Sequence, residues 1–155
     1  MDAPAIGFAP DEIDTSAPTR SARLKWVVVV DEALPPGRAL NAAVCTAAAT
    51  GRAVAGLLGP DAVDAEGSAH PGLPWAGCTV LRAPAETLRT IRAKAAASPE
   101  LHTVDMPEDA QLTRVYDEYL SVMSGKAADR IAYGAVGIVG PRNRVDRIVG
   151  RLPLY

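Results

Sequence analysis

The side chains that could do chemistry in this 155-residue chain fall into three groups. Two arginines, Arg38 and Arg142, each follow a Pro/Gly break, Leu34-Pro35-Pro36-Gly37 and Gly140-Pro141. Each break ends an apolar run and opens a helical stretch. Helix starts expose unpaired N–H groups and partial positive charge, so each break suits an anion. Arg38 and Arg142 are therefore expected to clamp an anionic ligand, with Gly37, Thr46 and Gly140 in the same binding set. The alternative for Arg38 is a solvated arginine on a loop.

The second group is acidic. Asp105 and Asp109 flank Pro107 and read either as an acid/base pair at a pocket rim or as helix-capping charge. The third holds the nucleophile and imidazole candidates. His70, in His70-Pro71-Gly72, is a candidate acid/base; with no partner placed beside it, it also reads as a loop-shaping residue. Cys45 lies too deep in its helix for much dipole help and has no adjacent base, so it reads as a buried small apolar residue. A metal site from His70, His102, Cys45, Cys78 and Asp105 has no support in spacing, and no cofactor is expected.

The elements that must position these groups alternate. Strands are expected over residues 24–31, 77–82, 101–106 and 130–139. Helices are expected over 38–58 and 84–97, from 107 through Met123, and over 141–150. Leu40, Val44, Ala47, Gly51, Val54 and Leu58 follow the helical period and are expected to face inward. So are Leu88, Ile91 and Ala95 in the second helix, and Leu112, Val115, Tyr116, Tyr119 and Met123 in the third. The small residues of the last strand, Ala132, Gly134, Ala135 and Gly137, suggest close approach by another element. This βα alternation predicts an α/β three-layer sandwich, a small mixed four-stranded sheet with helices on both faces. The short third strand is the candidate for the reversed direction. Ligands in open sheets sit beyond the carboxyl ends of strands. Arg38 and Arg142 meet there if the first and last strands are parallel neighbours. Residues 1–22 read as a flexible tail, or as an arm on a neighbouring subunit anchored by Ile6, Phe8 and Ile13. Residues 23–155 read as one domain.

The net charge of −2 gives no basic excess for gripping nucleic acid backbone. Arg142, Arg144, Arg147 and Arg151 could form a local RNA face, but interleaved Asp146 makes a solvated face the simpler reading. Two cysteines make no disulfide framework. No stretch has the length and apolarity of a membrane span, and the start lacks the pattern of a signal peptide, so the cytoplasm and no membrane partner are expected.

Several motifs resemble a known group. Lys25-Trp26-Val27-Val28-Val29-Val30, Gly37 and Ala42-Ala43-Val44-Cys45-Thr46-Ala47 are similar to the opening of the type II peptidyl-tRNA hydrolases. Ile138-Val139-Gly140-Pro141 and Val145-Asp146-Arg147-Ile148-Val149-Gly150-Arg151-Leu152-Pro153-Leu154-Tyr155 are similar to their ending. A nearer resemblance is to a bacterial relative, the domain of unknown function 2000 family. It rests on Leu34-Pro35-Pro36-Gly37, Ala39-Leu40-Asn41, the His70-Pro71-Gly72 loop and Gly140-Pro141-Arg142, over about residues 24–155. The resemblance implies a compact mixed sheet between helices. The hydrolases' first turn lysine falls at Arg38 and the second at Leu40. Their glutamine and histidine fall at Val44 and Ala47, and their aspartate segment is echoed by Asp109-Ala110-Gln111, with Asp105 the rival placement. An arginine stays charged and cannot replace a lysine that must lose its proton, but it can still hold an anion.

The expected function is therefore binding of a small anionic ligand or substrate at the strand carboxyl ends, with hydrolysis or acyl transfer as the implied chemistry. An enzyme acting on peptidyl-tRNA or aminoacyl-tRNA is the alternative. A non-enzymatic dimeric assembly module is the third reading, and a homodimer is expected.

Overall fold

Val27, Val28, Val29 and Val30 are each at most 2% exposed, because β1 (Leu24–Asp31) has a packed layer on both faces. That is why its sequence is a continuous apolar run rather than an alternation. The computed structural model describes residues 5–155, so the first four residues of the expected tail lie outside the described residues. After β1 come α1 (Pro36–Ala53), a small hairpin of β2 (Ala62–Val63) and β3 (Ala69–His70), and β4 (Thr79–Ala83). They are followed by α2 (Ala85–Ala96), β5 (His102–Pro107), α3 (Asp109–Leu112), α4 (Tyr116–Ser124), β6 (Tyr133–Pro141) and α5 (Arg142–Val149).

The main sheet is four-stranded, in the order β4-β1-β6-β5. Trp26, Val28 and Val30 pack with Ala39 and Ala42 of α1. Val27 and Val29 pack with Leu88 and Ile91 of α2 and with Val145 and Val149 of α5. The fold is thus a mixed α/β arrangement with helices on both faces.

The direction of one strand departs from expectation. β4 runs parallel to β1, and β6 runs antiparallel to both β1 and β5. The reversed strand is therefore the last one, not the short third one. The carboxyl ends of β1, β4 and β5 lie together at one rim, called the near rim. The carboxyl end of β6 lies at the opposite, far rim, with Pro141 across from Leu24.

The orientation of α1 also departs from expectation. Leu40 and Val44 are 64% and 65% exposed, while Ala39, Ala42, Thr46 and Thr50 face the sheet. The cause lies across the interface. A Cβ on Gly134 would sit 3.4 Å from Ala42 Cβ, and one on Gly137 would sit 3.7 Å from Thr46 Cβ. The strand's small residues admit a close helix, as expected, and a close helix admits only small residues in return. The hydroxyls of Thr46 and Thr50 donate back to Ala43 O and Thr46 O at 2.8 Å, so neither is left unpaired in the core. Leu88, Ile91 and Ala95 of α2 face inward as their spacing predicts.

The third expected helix is two. Thr113 and Val115 are extended, which separates α3 from α4. Leu112, Val115 and Tyr116 are consequently exposed, while Met123 still packs on the core.

The segment expected as a tail folds onto the domain. Phe8 is 5% exposed, its N–H donates to Ala55 O at 2.8 Å, and its ring meets Trp75 with centroids 4.8 Å apart. Gly56, at φ +68°, is needed there, since a Cβ would press on Phe8 O at 2.7 Å. At the other end, Leu154 bridges to Leu81, so the last residues cover the outer edge of β4. Among the described residues no helix is long and apolar enough to cross a membrane.

Candidate functional site

The antiparallel pairing of β1 and β6 corrects the expected clamp: Arg38, beyond the end of β1, and Arg142, beyond the end of β6, stand at opposite rims. Arg142 Nε donates to Ala22 O at 2.7 Å and Nη2 to Thr19 O at 2.8 Å, so its guanidinium fastens the N-terminal arm. Gly140 is a packing residue at that rim. A Cβ there would collide with Leu101 Cδ2 and crowd Glu100 O at 3.0 Å. Thr46, 1% exposed and turned to the sheet, offers nothing to a ligand. Gly37 is exposed at the start of α1, with no atom within 4 Å of an added Cβ.

The near rim carries a cavity of about 380 Å³. Asn41 and Cys45 of α1 form one wall; Met106 of β5, Ala110 of α3 and Tyr119 of α4 form another. Arg114, on the extended link between α3 and α4, is the one charged residue in the lining. Gln111 ties the walls together: its Nε2 donates to Arg38 O at 2.9 Å and to Asn41 Oδ1 at 3.1 Å. Cys45 is exposed in this cavity, not buried as expected, because α1 turns its small residues to the sheet. The polar neighbour of its Sγ is Asn41 Oδ1 at 3.9 Å, an acceptor and not a base.

Asp109 is 7% exposed, and both its oxygens accept from Lys126 Nζ, at 2.9 and 2.8 Å. This pair pins the start of α3 to the chain beyond α4. Asp105 accepts from Arg92 Nε at 3.0 Å, and Arg92 lies 5.7 Å from the Tyr133 ring centroid. Burial first, then the charges of Asp105, Tyr116 and Asp109, push the Tyr119 phenol above its ordinary value. It therefore stays a protonated donor at neutral pH.

His70 does not line this cavity. Its Nε2 lies 3.1 Å from Asp64 Oδ2 within its own exposed hairpin, and Asp64 Oδ1 accepts from the N–H groups of Glu66 and Ser68. Of the expected residues, the near rim thus gathers Gly37, Arg38, Asp105 and Asp109, and leaves out His70, Thr46, Gly140 and Arg142.

The sequence reading missed Arg114, Tyr119 and Lys126, whose roles depend on the break between α3 and α4. No local signal marked that break: Leu112, Val115, Tyr116, Tyr119 and Met123 share one side of a continuous helix, with Arg114 on the opposite side. Asn41 and Gln111 lie in motifs that the sequence does single out. On α5, Arg144 pairs with Glu100 at 2.8 Å and Asp146 with Lys25 at 2.6 Å. With Arg142 engaged as well, Arg147 of that helix and Arg151 just beyond it have no polar side-chain partner among the described residues.

No curated protein matches the chain. The fold is similar to the solved structure of a protein of unknown function from Agrobacterium tumefaciens, at a TM-score of 0.78 and 19% identity over 86% of this chain and 98% of that one. The family model described as protein of unknown function (DUF2000) matches residues 24–155, from the first residue of β1 through both motif-bearing rims, and the chain belongs to that family.

Proposed function

We propose that the near-rim cavity binds a small molecule with an apolar body and one anionic head, a carboxylate or a phosphate. The observation that carries this reading is the double hydrogen bond of Gln111 to Arg38 O and Asn41 Oδ1, which joins segments 73 residues apart in the sequence. These are the two segments that resemble the turn and the aspartate segment of the type II peptidyl-tRNA hydrolases. The cavity lies in the size range of small-ligand sites, which pair apolar walls with a few placed polar groups. Met106, Ala110 and Val115 supply the apolar wall, and Arg114 supplies the charge. Arg38, one turn before Asn41, has no side-chain partner among the described residues and adds a second cation at the same rim.

Octanoate and 1-octanol test this by calorimetric titration. Octanoate is expected to bind, and Arg114→Gln to weaken it about tenfold through loss of a charge-assisted pair. Octanol is expected to show no such dependence. Octanoate affinity unchanged by Arg114→Gln would sink the reading. Hydrolysis or acyl transfer at the same cavity has one supporting feature, the protonated Tyr119 phenol, a suitable donor to a developing oxyanion. Its signature is ester turnover that Tyr119→Phe removes while octanoate affinity is kept.

A further inference from the structure

A second recess, at the far rim, has a different chemistry. It measures about 260 Å³, and the N-terminal arm supplies one side through Thr19 and Arg20. Lys25 and Trp26 of β1, Thr79 of β4 with the three residues before it, and Arg142 of α5 supply the rest. Three of these residues are cationic, and no carboxylate lines the recess, in a chain whose net charge is −2. The cations are differently engaged. Arg20 has no polar side-chain partner among the described residues. Lys25 is held by Asp146 at 2.6 Å. Arg142 uses Nε and Nη2 on the carbonyls of Ala22 and Thr19, which leaves Nη1 unbonded. Trp26 is 8% exposed, and its Nε1–H has no hydrogen-bond partner.

We propose that this recess is a site for a small oxyanion, inorganic phosphate or the head of a phosphate monoester, completed by the arm that lies across the strand ends. The size favours a small group, since the recess is below the usual range for drug-sized ligands. The charge favours an anion, because Arg20 has no carboxylate partner among the described residues and Arg142 keeps Nη1 free, while Asp146, which holds Lys25, lies outside the lining. Thr19 and Arg20 precede residue 24, where the family match begins, so the arm's side of the recess lies outside the matched region. The carbonyls that Arg142 grips belong to that arm, so one guanidinium both closes the recess and charges it.

The test is titration of the full chain with sodium phosphate, followed by amide and indole NMR. Expected is a saturable shift of the Trp26 indole N–H and the Thr79 amide. Arg20→Gln, an exposed change that removes no internal hydrogen bond, is expected to weaken binding about tenfold. The near-rim Arg114→Gln variant is expected to bind phosphate normally. Shifts absent up to tens of millimolar phosphate, or unaltered by Arg20→Gln, overturn the proposal. So does a single-stranded RNA that binds the same residues more tightly than phosphate with steep salt dependence, which would mark a polyanion surface instead.

Discussion

At the far rim Arg142 gives two of its donors to backbone carbonyls of the arm. At the near rim neither Arg38 nor Arg114 has a polar side-chain partner among the described residues. Both Arg38 and Arg142 follow a Pro/Gly break at the end of a buried strand, yet one is a fastener and the other is available. The difference lies in what arrives beside each. Residues 5–22 cross the far rim and bring carbonyls that need donors. The near rim receives α3 and α4, whose contact with α1 runs through Gln111 and leaves the guanidinium groups outside. A local motif therefore sets where a charge stands, and the neighbouring segment sets what it does.

The sharpest way to break this comparison is to remove the anchor of the arm. Phe8→Ala empties a 5% exposed aromatic site and is expected to lower stability by about 3 kcal/mol, read from urea unfolding. A loss under about 1 kcal/mol would mean that the arm is not part of the core and that the far rim is open like the near one. Next in size is the near-rim pair. Asp109→Ala strands the Lys126 ammonium, whose side chain is 30% exposed, so a cost of about 2 kcal/mol is expected, below that of a fully buried pair. Adding Lys126→Met should recover part of it. No recovery would indicate that Asp109 acts through the α3 backbone and not through the pair.

The smallest effect concerns the thiols, one at each rim. Both thiols are exposed at the surface, but desolvation by the surrounding atoms pushes that of Cys78 at the far rim up to about 12, whereas Cys45 opens into the near-rim cavity. Iodoacetamide at pH 8 is expected to label Cys45 first, and Cys78 only as the pH climbs toward its raised value, where the thiolate appears. Equal labelling rates, measured by mass spectrometry, would contradict the contrast.

Much of this fold was legible because some residues answer only to their immediate neighbours. The run Val27–Val30 announces a strand covered on both faces, and Leu88, Ile91 and Ala95 announce the inner side of α2. The DUF2000 membership was legible in the order of short motifs. The inner side of α1 was not. Its most apolar residues, Leu40 and Val44, form the better helical stripe, but Gly134 and Gly137 across the interface leave room only for Ala42 and Thr46. The candidate site was half legible. Arg38 and the Asp109-Ala110-Gln111 segment were visible, while Arg114 and Tyr119 took their places only when Thr113 and Val115 left the helical path.

By itself the sequence determined the punctuation of the chain: where strands begin, where Pro and Gly end them, and which helix starts carry arginine. These follow from backbone propensity and side-chain size within a few residues. The tertiary structure alone decided the direction of β6, and with it the separation of Arg38 from Arg142. A buried apolar strand satisfies its hydrogen bonds parallel or antiparallel to its neighbour, so its own residues do not state its direction. That choice is made by the connections and layers around it.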